Sequence, residues 1–126
     1  MKTITSRHNH LVKELRKLHQ RKHRDITGTT LVEGYRLVKT ALQGKVEFET
    51  VLMTPDFLQG PEGKSLSGSL ERVAVNVVMA TREVLASVAT TRSPQGVVAS
   101  VKKPGYSMDD ITGGDSPVIV VLEELQ

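Results

Sequence analysis

Apolar residues recur along this chain in two spacings, and each predicts its own kind of element. Projecting the segment that begins at Leu11 at about 100° per residue gathers Leu11, Val12, Leu15, Leu18 and His19 in one arc of about 120°. Lys13, Arg16, Lys17 and Arg21 fall on the opposite side. This predicts a helix with a core face and a basic face, capped at its start by Ser6 or Asn9. Lys22 falls inside the apolar arc, so the helix is expected to end near it. The run Arg21-Lys22-His23-Arg24 would then sit at the helix C-terminus, where cations complement the dipole.

Further on, short β-branched runs alternate with pairs of apolar residues four apart. Thr30 to Glu33 reads as a strand broken by Gly34, and Leu37, Val38, Ala41 and Leu42 read as a helix stopped at Gly44. Phe48 to Met53 is a strand closed by Pro55. Gln59 to Ser69, rich in Gly, Ser and Pro, is expected to be a loop with at most a short helix through Leu66 and Leu70. Arg72 to Met79 is a strand, Thr81 caps a helix carrying Val84, Leu85, Val88 and Ala89, and Gly96 to Val101 is a strand ended by Pro104. Residues 105–117 read as a linker, and Val118 to Leu122 as a last, wholly apolar strand. Strands that are apolar on both faces and alternate with helices predict an α/β fold, a three-layer α/β/α sandwich on a mixed sheet. The last strand reads as the opening of a further βα unit. The expected organisation is therefore a domain over 1–104, a linker over 105–117 and the first strand of a truncated second domain over 118–126.

Composition narrows the function. With no cysteine among 126 residues, disulfides, thiolate metal sites and a cysteine nucleophile are excluded, which fits a cytoplasmic protein. No apolar run approaches the roughly 18 residues of a membrane helix. The net charge of +3 hides an asymmetry. Residues 1–24 hold eight Lys or Arg against Glu14 alone, leaving nine basic and thirteen acidic residues in the rest. One end of the chain is therefore built for a polyanion. The only aromatics are Tyr35, Phe48, Phe57 and Tyr106, too few for dense base-stacking platforms, so binding is expected to work through phosphates and shape. A membrane-surface helix would need large apolar residues that the basic segment lacks, which makes nucleic acid the better partner.

Several motifs carry little chemistry. Gly63-Lys64-Ser65 has Leu58 where a phosphate-binding loop needs glycine, and Pro61 removes an amide from it. His19 and His23 stand at a metal-chelating spacing, but in a field of eight cations and one carboxylate, so no metal is expected. Asp109 and Asp110 read as solvating charges in a linker. Two turns have more to offer. Glu33-Gly34-Tyr35-Arg36 passes from strand to helix through glycine beside an arginine, and Thr91-Arg92-Ser93-Pro94-Gln95-Gly96 offers an arginine, a hydroxyl and an amide on one loop.

These residues, in order, carry a family resemblance. The set SRHN-x-x-V-K-x-L-x-K-L with its basic tail RKHR, then L-V-E-G-x-R-L-V, then T-x-x-P-Q-G-V-V-A, then P-V-I-V-V-L-E-E-L-Q resembles the N-terminal substrate-binding domain of SpoU-family (SPOUT superfamily) ribosomal RNA 2′-O-ribose methyltransferases. The resemblance implies a fold like that of ribosomal proteins that bind kinked RNA. It also implies a parent enzyme that uses S-adenosylmethionine in a knotted catalytic domain and works as a homodimer. The family's catalytic and cofactor motifs lie beyond the residues matched, so no catalytic residue and no cofactor are expected in this chain, which alone is expected to be inactive. Its expected role is to position RNA, expected to be ribosomal, for methylation. Carried over by position, the RNA-contacting or positioning set is Asn9, Lys13, Lys17, Arg21, Lys22 and Arg24 from the basic segment, with Glu33, Gly34 and Arg36 from the first turn and Arg92, Gln95 and Gly96 from the second. The alternatives are a free-standing kinked-RNA-binding module without enzymatic activity and a small helix-turn-helix DNA-binding regulator. The strand content and the lack of a second basic helix disfavour the latter.

Overall fold

The computed structural model describes residues 3–124. Five strands, β1 (Thr3–Ile4), β2 (Thr29–Glu33), β3 (Phe48–Met53), β4 (Asn76–Ala80) and β5 (Val97–Lys102), form one sheet in the order β1-β4-β3-β5-β2. β1, β4 and β3 pair in parallel, and β5 runs antiparallel to both β3 and β2. The sheet is therefore mixed, as the sequence predicts, with β5 opposed to the other four.

Helices cover both faces. On one side α1 (His10–Lys17) and α6 (Arg82–Val88) bring Val12, Leu15, Val84, Leu85 and Val88 onto Leu52, Ala80 and Val98. On the other, α3 (Tyr35–Gln43) and α5 (Pro61–Glu71) bring Val38, Leu66 and Leu70 onto Val51, Met53, Met79, Val97, Ala99 and Val101. Successive residues of a strand point to opposite faces, so a strand that serves two cores must be apolar throughout. Val51-Leu52-Met53 and Val97-Val98-Ala99 are such runs. The remaining helices are α2 (Arg21–Thr27), α4 (Pro55–Gln59) and α7 (Met108–Thr112).

Four sequence expectations need correction. The basic segment is two helices: α1 stops at Lys17 with Leu18 as its C-cap, and Arg21 to Arg24 open α2. Arg21, Lys22 and His23 therefore stand in the first turn of α2, the end that the dipole disfavours for cations, while Arg24 lies in its last turn. Arg24 donates from Nη1 to the carbonyls of Leu18 (2.9 Å) and His19 (2.9 Å), which closes the end of α1. The expected loop over Gln59 to Ser69 is mostly helix, because Pro55 and Pro61 each occupy a first helical turn, where proline fits, and Leu66 and Leu70 anchor α5 in the core. The expected linker contains α7, held by a capping box in which Asp110 accepts from the Ser107 amide (2.8 Å) and Ser107 Oγ accepts from the Asp110 amide (3.3 Å). The Ser107 amide and hydroxyl, both donating to the carboxylate, hold the Asp110 carboxyl below its ordinary range. Finally, Val118 to Leu122 forms no strand: it pairs with none of the five strands, and its side chains are exposed. An apolar run needs a ladder partner to become a strand, and none adjoins it. Residues 125 and 126, the end of the expected second unit, lie outside the described residues, as does Lys2 of the basic segment.

Candidate nucleic-acid interface

The two turns that stand 60 residues apart in sequence meet at one end of the sheet. β2 ends there and β5 begins there, because the two strands are antiparallel, with Glu33 opposite Val98. Gly34 continues the pairing, its amide donating to the Val97 carbonyl (3.0 Å). Its backbone, at φ 85° and ψ 155°, lies in a region essentially closed to other residues. The absent side chain also leaves room for Gln95, whose Oε1 would stand 2.8 Å from a Cβ at this position and instead accepts from the Tyr35 amide at 3.1 Å. Gly96 is fitted in the same way. Its φ is 96°, a Cβ there would meet Phe57 Cβ at 2.7 Å, and its carbonyl accepts from the Thr54 amide (2.9 Å).

Glu33 provides the second lock. Its carboxylate accepts from the amides of Thr90 (2.8 Å) and Thr91 (3.4 Å) and from both of their hydroxyls. Partial burial pushes this carboxyl up, but the bonds from Thr90 and Thr91 outweigh it and hold Glu33 below its ordinary range. Loop 89–96 is thus tied to the start of α3 from both ends of its span.

The locked junction forms a groove. One cavity, of about 290 Å³, is lined by Glu33, Gly34, Arg36, Leu37, Pro94 and Gln95 among others. Glu33 is also a wall of a neighbouring cavity of about 150 Å³, together with Leu18, His19, Arg24, Leu31 and Thr90. Arg36 and Arg24 therefore line two cavities that meet at Glu33. Arg92 is exposed on the same loop.

The other sequence-predicted residues lie apart from the groove. Asn9 is the N-cap of α1, its Oδ1 accepting from the Leu11 amide (2.9 Å). Lys13, Lys17, Arg21 and Lys22 are exposed on α1 and α2. Lys17 pairs with Glu14 at 2.8 Å, and Arg21 stands 3.8 Å from Asp25 while remaining 87% exposed. The histidines of the possible chelating pair have other partners: His19 Nε2 bonds the Val88 carbonyl, and His23 lies 3.9 Å from Glu14. Sequence reasoning missed Thr90 as the partner of Glu33. Its only signal was a pair of hydroxyl residues ahead of the Pro-Gln-Gly turn.

Residues 9–99 match the family described as MRM3-like substrate binding domain. The chain is 35% identical over 127 aligned positions to an uncharacterized tRNA/rRNA methyltransferase of Synechocystis, covering 98% of this chain and 44% of that protein. It is 30% identical over 104 positions to the 23S rRNA (guanosine(2553)-2′-O)-methyltransferase of Bacillus subtilis, covering 82% of this chain and 39% of that protein. The fold is similar to a crystal structure of an AdoMet-bound rRNA methyltransferase from Sinorhizobium meliloti, with a TM-score of 0.74 and 27% identity over 87% of this chain and 40% of that one. The chain spans less than half the length of each of these proteins.

Proposed function

The chain belongs to the MRM3-like substrate-binding domain family, and on that premise we propose that it is the RNA-holding part of an S-adenosylmethionine-dependent ribosomal RNA 2′-O-ribose methyltransferase. The observation that carries this reading is the groove itself. Two separate turns are fastened together by Glu33 and Gln95, so that Arg36 and Arg24 line two pre-formed cavities that meet at Glu33. In this reading Lys13, Lys17, Arg21 and Lys22 neutralise phosphates, and Arg36 and Arg92 place the RNA against the groove. Asn9, Arg24, Glu33, Gly34, Gln95 and Gly96 mainly hold that surface in shape. A rigid surface contributes to a reaction by orienting the substrate rather than by taking part in the chemistry.

The catalytic residues and the cofactor would belong to the part of the relatives that this chain does not span. The apolar run Val118 to Leu122, without a partner in the sheet, suits the first strand of such a domain. Homodimer formation and the binding of S-adenosylmethionine are assigned to that domain as well. Among the described residues no helix is long and apolar enough to cross a membrane, and a cytoplasmic site of action fits an RNA substrate.

Salt dependence tests the reading. Each phosphate contact made by a cation lowers the log–log slope of affinity against salt by about 0.7–0.9. Replacing Lys13 and Arg21 together by Ala should therefore flatten the slope by about 1.4–1.8 units for structured ribosomal RNA fragments. An unchanged slope, or binding insensitive to salt in the parent chain, would overturn the proposal.

A further inference from the structure

Beside the groove lies a larger cavity, of about 510 Å³, which no part of the preceding reading uses. It opens at the same end of the sheet, where β3 passes into α4 and β4 into α6, and shares Pro94 and Gln95 with the groove. Its apolar lining comes from Phe57, Leu85 and Ala86. Asp56 and Arg82, joined as an ion pair, and the Thr54 hydroxyl supply the polar groups.

The arrangement suits a nucleobase better than a phosphate. A phosphate entering it would meet the Asp56 carboxylate, and Arg82 is already neutralised by that same group. A flat heteroaromatic ring needs apolar walls for its faces and a few polar groups for its edge. The volume is ample for one base. The polar pair also selects among bases. Guanine alone presents adjacent N1–H and N2–H donors, which a carboxylate accepts side by side, next to an O6 acceptor to which a guanidinium donates. Since the cavity and the groove share a wall, a strand held by its phosphates along the groove could turn one unstacked base inward.

We propose that the cavity lined by Phe57, Leu85, Ala86, Asp56 and Arg82 takes up one unstacked base of the bound RNA, with guanine preferred. The proposal rests on the RNA-binding reading above, and the test separates the two. The probes are three RNA hairpins identical except for a single bulged G, a single bulged U or no bulge, titrated against the full chain at fixed salt. The parent chain should bind the bulged-G hairpin at least about tenfold more tightly than the unbulged one, with bulged U between them. Ala86 is exposed on α6, where leucine is a good helix former, so Ala86→Leu should project a bulky side chain into the cavity and obstruct a base without disturbing the fold. It should abolish the preference for a bulge while leaving the salt slope unchanged. Asp56→Asn should keep the preference for a bulge and lose that for G over U. Equal binding of all three hairpins by the parent chain, or a bulge preference that survives Ala86→Leu, would overturn the base-pocket proposal and leave RNA binding standing. Failure to bind any of the hairpins would overturn both.

Discussion

Replacing Gly34 by Ala tests whether the groove is rigid because of its backbone or merely populated by suitable residues. The substitution has two costs. At φ 85° and ψ 155° a residue with a Cβ is strained by about 1–3 kcal/mol. The new methyl group would also stand 2.8 Å from Gln95 Oε1, forcing that side chain off the Tyr35 amide, a loss of about 0.5–1.5 kcal/mol. The sum is about 1.5–4.5 kcal/mol, a large fraction of the stability of an ordinary domain. For a chain of this size about 1 kcal/mol corresponds to about 3–6 °C, so the melting temperature should fall by about 5–27 °C. Urea unfolding and thermal melts followed by circular dichroism give both quantities. A double-mutant cycle with Gln95→Ala separates the two costs: in that background the penalty of Gly34→Ala should shrink by the hydrogen-bond part and keep the strain. A penalty below about 1 kcal/mol would refute the strain argument. Strict additivity with Gln95→Ala would refute the contact.

Two further predictions concern the locks. Arg24→Ala should destabilise the domain by about 1–2 kcal/mol in urea unfolding, because the carbonyls of Leu18 and His19 lose a charged donor. Glu33 has a folded-state pKa below its ordinary value, so its contribution should be fully present above pH 4.5 and be lost as pH falls through the folded-state value. The stability difference between the parent chain and Glu33→Gln, measured from pH 6 downward, should vanish at the acid end; a constant difference would count against the carboxylate as the source of the lock.

What the sequence disclosed follows from how local each signal is. β3 and β5 were legible because a strand buried on both faces is an unbroken apolar run, and Thr81 was legible as a cap because capping involves neighbours, its hydroxyl accepting from the Val84 amide. The Gly, Ser and Pro content of the α4 and α5 region misled for the opposite reason. Gly63 is a point of close packing, where a Cβ would lie 1.9 Å from the Phe57 carbonyl oxygen, and its small size reflects tertiary crowding rather than a turn. β1 is two residues long, and Thr3 is recognisable as strand only by its pairing with Met79. At the candidate site, Gly34, Gln95 and Gly96 stood out within compact motifs. The bonds from Thr90 to Glu33 span 57 positions, and no pattern along the chain marks such a pair.

The place of β5 in the sheet orders events during synthesis. Among the described residues β2 lies at the sheet edge, and its sole neighbour is β5. Glu33 and Gly34 leave the ribosome early but have no ladder until Val97 to Lys102 has followed and inserted beside β3. The cationic N-terminal segment is therefore synthesised well before the groove can form. On the proposed function, a nascent chain would meet RNA first as a diffuse positive charge and would gain its shaped surface only when the sheet closes, which would tie discrimination among RNAs to the completion of folding.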